Sequence, residues 1–268
     1  MTRSRMFAGV LTLTLALAAQ TFGACALARS GGAPSIVFDD GNYTERDESR
    51  QSYPLAPGAR VELNSVSGHV TVETGGSAAD VHIVRSARSR EDLRCREFKV
   101  TATETGLRID GNDNRRECRN VQVRQTVNLR LPRSVNLDVN SVSGHVTVGG
   151  IDGSVKMNSI SGHATVRQAA GEAIFNSISG HVSVNLSSLG GRGVRMSSIS
   201  GNIEVGLPEN ANADWSVTSI SGNVIADAPG VTVQKVGPSS YEGRIGSGGT
   251  EMTFSSISGN VRFRRTSD

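Results

Sequence analysis

Large aromatic side chains are scarce in this sequence of 268 residues: they make up 4% of the chain, and there is one Trp. A core built on aromatic anchors is therefore not expected. Cysteine is rare too, at three residues, whereas Gly reaches 31. A composition rich in Gly, Ser, Val and Asn is typical of many short strands joined by tight turns.

Signatures of catalysis are also missing. The sequence contains no G-x-S-x-G, no H-E-x-x-H, no P-loop and no dinucleotide fingerprint, so neither an enzyme nor a cofactor is expected. An enzyme acting on polysaccharides would need clustered carboxylates. Those in the later part of the chain, such as Glu204, Asp214 and Asp227, are widely spaced, so this class is the least favoured alternative.

The N-terminus predicts export. MTRSR is positively charged, Met6 to Ala19 is apolar, and Ala26-Leu27-Ala28 offers a cleavage site, so residues 1–28 read as a signal peptide. The alternative is a lipoprotein, because the residues before Cys25 resemble a bacterial lipobox. We therefore expect a periplasmic or cell-surface protein, with lipidation of Cys25 left open. Residues 29–52 predict a flexible lead-in.

The two remaining cysteines, Cys95 and Cys118, are expected to form a disulfide, as thiols of exported proteins usually do. The bridge would close a loop of about 22 residues and add roughly 3 kcal/mol of stability. A metal site is the alternative, but neither cysteine has the nearby Cys or His partner that zinc sites show.

A nine-residue phrase recurs along the chain, as NSVSGHVTV, NSISGHATV and NSISGHVSV among others. Its glycines are Gly68, Gly144, Gly162, Gly180, Gly201, Gly222 and Gly259. The later spacings are 18 or 21 residues, and a gap of 37 before Gly259 suggests a degenerate copy at Gly243. A period near 20 residues predicts a solenoid whose units bury their apolar sides by stacking.

Alternating apolar residues favour strands over helices, with corners at Asn-Ser and at Gly. We predict an all-β, single-domain parallel β-helix over residues 53–268, with coils of 18–21 residues. Residues 53–135 would form less regular coils that carry the disulfide, and residues 136–268 the regular ones. The predicted internal apolar column consists of Val142, Ile160, Ile178, Ile199, Ile220 and Ile257. Asn140, Asn158 and Asn176 would form a hydrogen-bonded ladder at a corner.

A strand ending in Pro, Val127 to Pro132, precedes the repeated S-G-x-[I/V] units. With these two features, the region from residue 60 to 263 resembles the DUF4097 β-strand-repeat proteins. These are bacterial proteins that are called adhesins by inference. The resemblance implies a β-solenoid and an exported location, and it implies little about activity. Members commonly have Asp or Asn after the Gly, where this chain has His in four copies.

Those four histidines are His69, His145, His163 and His181, and they share one position of the unit. The last three predict a row on the outside of consecutive coils. One interpretation is a strip that binds a metal or a ligand in the periplasm. The other is a polar surface ladder, since Asn202, Asn223 and Asn260 occupy the same position in later copies.

Residues 85–133 carry 12 Arg and one Lys against seven acidic residues. One interpretation is a patch for an anionic partner, centred on Arg115, Arg116 and Arg119. The other is an ordinary solvated region. Nucleic acid is not expected as a partner, because the protein is exported and the segment lacks stacking aromatics. The sequence thus favours a non-catalytic envelope solenoid that presents a scaffold or adhesin-like surface to an envelope polysaccharide or protein.

Overall fold

Strands dominate the molecule, so the prediction of an all-β, solenoid-like fold is confirmed. A computed structural model describes residues 43–111, 118, 121–170, 172–189 and 193–266, within the unit Asp40–Asp268. The strands are β1 (Glu45–Pro54), β2 (Arg60–Thr74), β3 (Ala78–Ala87), β4 (Lys99–Thr103), β5 (Gly106–Asp110), β6 (Val123–Leu131), β7 (Asn136–Ile151), β8 (Val155–Ala169), β9 (Ala173–Leu186), β10 (Val194–Leu207), β11 (Ala213–Ser221), β12 (Val224–Ala226), β13 (Gln234–Gly237), β14 (Ser240–Ile245), β15 (Thr250–Ser258) and β16 (Val261–Arg265). The predicted signal peptide, with Cys25, and residues 29–42 lie outside the described residues.

One short helix, α1 (Arg90–Arg94), interrupts the strands of the described ranges. It begins after Ser89, whose hydroxyl accepts a hydrogen bond from the Asp92 amide at 3.1 Å, a typical N-cap. No helix in the part of the chain that the structure describes is long and apolar enough to cross a membrane.

Five long strands, β2, β7, β8, β9 and β10, form the regular middle of the fold. Neighbours are parallel and in register, so that each copy of the repeated phrase lies beside the next. Each strand bends at its Ser-Gly pair and so has a first leg before the glycine and a second leg after it. The bend requires glycine: at Gly162 φ is +140°, and a Cβ would lie 2.0 Å from the carbonyl oxygen of Gly144.

The core lies between the legs and follows strict alternation along each of them. The first legs contribute Val139, Met157, Phe175 and Met196, and the second legs contribute Val148, Val166, Val184 and Val205, each at most 3% exposed. All eight belong to a single core cluster that runs through the solenoid. Stacking of coils therefore buries the apolar side of each unit, as the repeat predicts.

The predicted internal column of isoleucines is wrong for every member whose side chain the structure describes. Exposure is 47% for Ile178, 47% for Ile199, 71% for Ile220 and 48% for Ile257. The side chains of Val142 and Ile160 lie outside the description.

The reason for the error is that no corner exists at Asn-Ser. Alternation continues unbroken from Phe175, which points inward, through Ser177, which is 7% exposed, to Ile178, which points outward. The bend comes later, at Gly180. Ser177 thus occupies the last inward position before the bend, and Ile178 points outward beside it. The corresponding serines Ser141, Ser198, Ser219 and Ser256 are likewise buried.

The coils at the C-terminal end do not follow the order of the sequence. β15 and β16, which flank Gly259, lie between β10 on one side and β11 and β12 on the other, so Gly222 belongs to a coil further out. The predicted degenerate copy at Gly243 is also wrong. Gly243 lies in β14, which pairs antiparallel with β11 and with β13.

The N-terminal end contains both parallel and antiparallel strand pairs, and not the irregular parallel coils that the sequence predicts. β5 and β6 run parallel to the two legs of β2, on the side away from β7. β3 then pairs antiparallel with β6, β1 with β3, and β4 with β5. Residues 45–52, predicted as part of a flexible lead-in, belong to β1 instead. Their exposed polar side chains gave no apolar alternation from which a strand could be inferred.

Candidate binding surface

The exposed isoleucines form one continuous line along the solenoid. In spatial order Ile178, Ile199, Ile257 and Ile220 belong to β9, β10, β15 and β11, and the serines that flank them pair in register. Adjacent members are therefore about 4.8 Å apart along the line. We call these four residues the Ile row.

A notch of about 730 Å³ runs beside the Ile row. Its other wall consists of the outward side chains two residues earlier in each coil, which we call the amide–hydroxyl row: Asn140, Asn158, Asn176, Ser197, Ser255 and Thr218. All 15 lining residues are Asn, Ser, Thr or Ile, and none is charged. The notch is therefore a neutral groove with one apolar wall.

The predicted asparagine ladder is present and is one coil longer than expected. Asn176 donates to Asn158 at 2.9 Å, Asn158 to Asn140 at 2.7 Å, and Asn140 to Asn64 at 2.9 Å. Asn64 in turn donates to Asp110 at 2.7 Å. The chain of amides rigidifies one wall of the notch, because each side chain is fixed by its neighbour.

Asp110 ends this ladder in a charged pair. The Nε of Arg108 donates to the Asp110 carboxylate at 2.8 Å. That hydrogen bond, supported by the one from Asn64, holds the pKa of Asp110 below its ordinary value. The carboxylate is thus ionised at neutral pH and anchors the first amide of the ladder.

Two cations beside the notch were not identified from the sequence. Lys156 and Arg195 lie two residues before Asn158 and Ser197, on the same outward face of their strands, and both are exposed. Neither forms an ion pair within the described part of the chain. Counting two residues back from the amide–hydroxyl row would have found them once the outward face was known.

His145, His163 and His181 form the predicted outer row, and His69 extends it by one coil. Ring centroids are 5.2 Å apart for His69 and His145, and 5.0 Å for His145 and His163, with the rings nearly parallel. His181 is tilted, at 6.3 Å from His163. Among the described residues no group of three or more His, Cys, Asp or Glu side chains could hold a metal ion. The geometry favours the polar-ladder interpretation.

The basic segment is less positive in the structure than a count along the sequence indicates. Arg115, Arg116 and Arg119 lie outside the described residues. Arg85 pairs with Asp47 of β1, and Arg133 pairs with Asp152 at 3.0 Å. Acidic residues from elsewhere in the chain thus offset part of the local excess, which supports the interpretation as an ordinary surface.

Each carboxylate weighed for catalysis has an arginine partner. Asp214 pairs with Arg244 at 3.0 Å and Asp227 with Arg262 at 3.1 Å. Glu204 pairs with Arg264. The Arg244 hydrogen bond holds the pKa of Asp214 below its ordinary value, assisted by the Gly249 amide. These carboxylates act as ion-pair partners at separate places in the fold rather than as one acid–base group.

The two cysteines expected to pair do so. Cys95, directly after α1, is joined to Cys118, with their Cα atoms 5.4 Å apart. The bridge ties the segment after α1 to the chain that leads into β6. It lies in the N-terminal part, away from the Ile row.

The fold and surface together define an all-β, solenoid-like protein that presents a neutral apolar groove. The chain belongs to the Toastrack DUF4097 family, whose model matches residues 54–264. A comparison with curated proteins finds no match.

Several solved structures are similar to this chain. One is a protein of Clostridium sporogenes ATCC 15579, provisionally named a cell adhesion protein, with a TM-score of 0.53 and 12% identity over 83% of this chain and 100% of its own. A provisionally named adhesin of Bacteroides fragilis NCTC 9343 has a TM-score of 0.42 and 12% identity, over 81% and 97%. A provisionally named lipid binding protein of Parabacteroides distasonis ATCC 8503 has a TM-score of 0.32 and 10% identity, over 81% and 96%. The first likeness shows the fold alone, and the other two support no inference.

Proposed function

We propose that this protein is a non-catalytic, exported β-solenoid of the cell envelope that acts as a scaffold or adhesin-like binding surface. Its middle coils would serve as a parallel β-helix of 18–21 residues per turn that holds this surface rigid. The observation that carries the proposal is the Ile row. Four large apolar side chains, each about half exposed or more, form one line on the surface. Exposed apolar patches of this kind mark interaction sites.

Several features support a location in the envelope. The N-terminal sequence has the build of a signal peptide, and the Cys95–Cys118 disulfide suits an oxidising compartment. The Clostridium sporogenes protein of the same fold carries a name from cell adhesion. The partner on this proposal is an envelope polysaccharide or another envelope protein.

Binding to the envelope tests the proposal. Purified mature protein is mixed with envelope fractions of the source bacterium, and the share that co-sediments is measured. The test variant replaces Ile178 and Ile199 by Asn. The matched control is Val236→Asn, because Val236 is also 47% exposed but lies in β13, outside the notch.

We expect the wild type and Val236→Asn to co-sediment, and the double variant to lose most of its binding. Equal binding of all three proteins, or none by the wild type, would contradict the proposal. Cell fractionation of the full-length protein supplies the second check, and recovery from the cytoplasm alone would exclude an envelope role.

A further inference from the structure

The notch differs from a site for a charged or strongly hydrogen-bonding ligand. Its lining carries no charge, and one wall is the Ile row. The amides of the opposite wall are hydrogen-bonded to one another rather than directed at a ligand. An ionic group placed along the groove would lose water and gain no oppositely charged partner. The main body of an occupant is therefore apolar.

A peptide strand does not fit this description. The strands that form the floor of the notch are paired on both sides by their neighbours, so their backbone groups are already used in the ladder. β-Augmentation requires a free strand edge, and the notch offers none. A peptide lying across it would leave its own backbone groups without partners.

A second copy of the chain does not fit well either. The Ile row is one side chain wide and, over four coils, roughly 15 Å long. A stable interface usually buries about 800 Å² on each partner, several times what such a line provides. The volume of about 730 Å³, by contrast, lies in the ordinary range for small-ligand sites. A single aliphatic chain fills a narrow, neutral groove and needs no hydrogen bonds.

The rim of the notch carries two positive charges, which favour a ligand with a negative charge at one end. Lys156 and Arg195 lie roughly 7 Å from the amide–hydroxyl row, two residues back along their strands. Both are exposed and form no ion pair with any described residue. Their charge is complementary to an anionic head group at the edge of the groove.

We propose that the notch binds one long-chain fatty acid, with its acyl chain against Ile178, Ile199 and Ile257 and its carboxylate beside Lys156 or Arg195. The inference rests on the proposed function, because it names the ligand class of the same surface. A free amphiphile is favoured over a bilayer surface because the groove is concave and one chain wide.

Binding of cis-parinaric acid, a fluorescent fatty acid, tests the inference on the full mature chain below the concentration at which the probe forms micelles. We expect saturable binding by the wild type and Val236→Asn, and at least tenfold weaker binding by the variant with Ile178→Asn and Ile199→Asn. Circular dichroism and thermal melting confirm that each variant is folded. No saturable binding by the wild type, or equal binding by the Ile variant, overturns the inference.

The head group is tested by charge removal. Replacing Lys156 and Arg195 by Gln should weaken binding of the fatty acid several-fold and leave unchanged the affinity for methyl oleate, which is calculated from displacement of the probe. Arg167→Gln, which removes an exposed arginine from the second leg of β8, serves as the matched control. Equal loss in the control, or equal loss for acid and ester, overturns the assigned position of the carboxylate.

Two further measurements separate the other occupants. Flotation with anionic phospholipid vesicles should show no binding that depends on the Ile row, and sedimentation velocity should show no dimer that depends on it. Vesicle binding or dimerisation without binding of the monomeric probe overturns the inference. Envelope binding that requires the Ile row, without fatty-acid binding, overturns this inference and leaves the proposed function standing. Fatty-acid binding without envelope binding overturns the proposed function and leaves the assignment of a fatty-acid site standing.

Discussion

A Cβ on Gly201 would lie 1.8 Å from the carbonyl oxygen of Gly180, which occupies the same bend one coil away. Gly201 also has φ of +147°, which an L-residue with a side chain rarely adopts. The contact thus combines a strained backbone with a clash against a neighbouring main chain that cannot move independently. Gly201→Ala should cost roughly 2–4 kcal/mol in the free energy of unfolding.

Urea unfolding followed by circular dichroism measures this cost. Gly237→Ala is the matched control, because a Cβ there meets nothing nearer than 3.7 Å and φ is not in the left-handed region. The control should change stability by less than about 0.5 kcal/mol. Equal effects in the two variants would show that the bend does not depend on glycine.

Met196 and Ile199 lie three residues apart on β10 and differ sharply in environment. Met196 is 1% exposed and Ile199 is 47% exposed. Met196→Ala should therefore cost about 2–5 kcal/mol, since it leaves a cavity in the core. Ile199→Ala should cost less than about 1 kcal/mol, and the same unfolding measurement compares them directly. A larger loss of stability for Ile199→Ala than for Met196→Ala would show that the Ile row is buried and not exposed.

The sequence predicts the stacking of the phrase better than it predicts the direction of its side chains. Spacing and Gly-rich composition are enough to infer strands that pile up in register, and the Asn ladder follows from that. The environments of Ser177 and Ile178 could not be inferred. If burial is predicted from side-chain polarity alone, the isoleucine is assigned to the core and the serine to the surface. Their orientation depends on where the bend falls, because a shift of one residue along a strand reverses which face each side chain occupies.

The order of the coils could not be inferred either. The phrases around Gly222 and Gly259 read TSISGNV and SSISGNV, so either can stack beside Gly201 with equivalent side chains. The choice is made by tertiary packing, in which Phe263 of β16 contacts Phe254 of β15 and Trp215 of β11. Lys156 and Arg195 could not be placed beside the notch either, because their position depends on which face of each strand points outward.

Engineered disulfides test the order of the coils. Ser200 and Ser258 are paired in register on adjacent strands, about 4.8 Å apart, which suits a disulfide. Ser200 and Ser221 are separated by the inserted strand, at roughly twice that distance, which is too far. Ser200→Cys with Ser258→Cys should therefore close on mild oxidation, whereas Ser200→Cys with Ser221→Cys should stay reduced. Peptide mass mapping identifies the bond, and the opposite result would restore a strictly sequential order.

Asp110 predicts a defined dependence of stability on pH. Its folded-state pKa is lowered, first by the hydrogen bond from Arg108 and then by that from Asn64. A carboxylate of this kind stabilises the fold above its unfolded pKa, near 3.9, and the contribution is lost as the pH falls through the folded value. Asp110→Asn should be less stable than the wild type at pH 7, by roughly 1 kcal/mol or less for so exposed a pair, and the two should converge once the pH falls below the lowered folded-state pKa of Asp110.

Urea unfolding of both proteins at several pH values measures this difference, and a gap that stays constant with pH would contradict the assignment. Arg108→Gln is the independent check. It removes the largest cause of the shift, so the titration midpoint of Asp110, followed by carbon-detected NMR, should move upward towards the ordinary value. Because Asp110 also fixes Asn64, the amide signals of Asn140 and Asn158 should change in Asp110→Asn if the ladder transmits the loss along the wall of the notch.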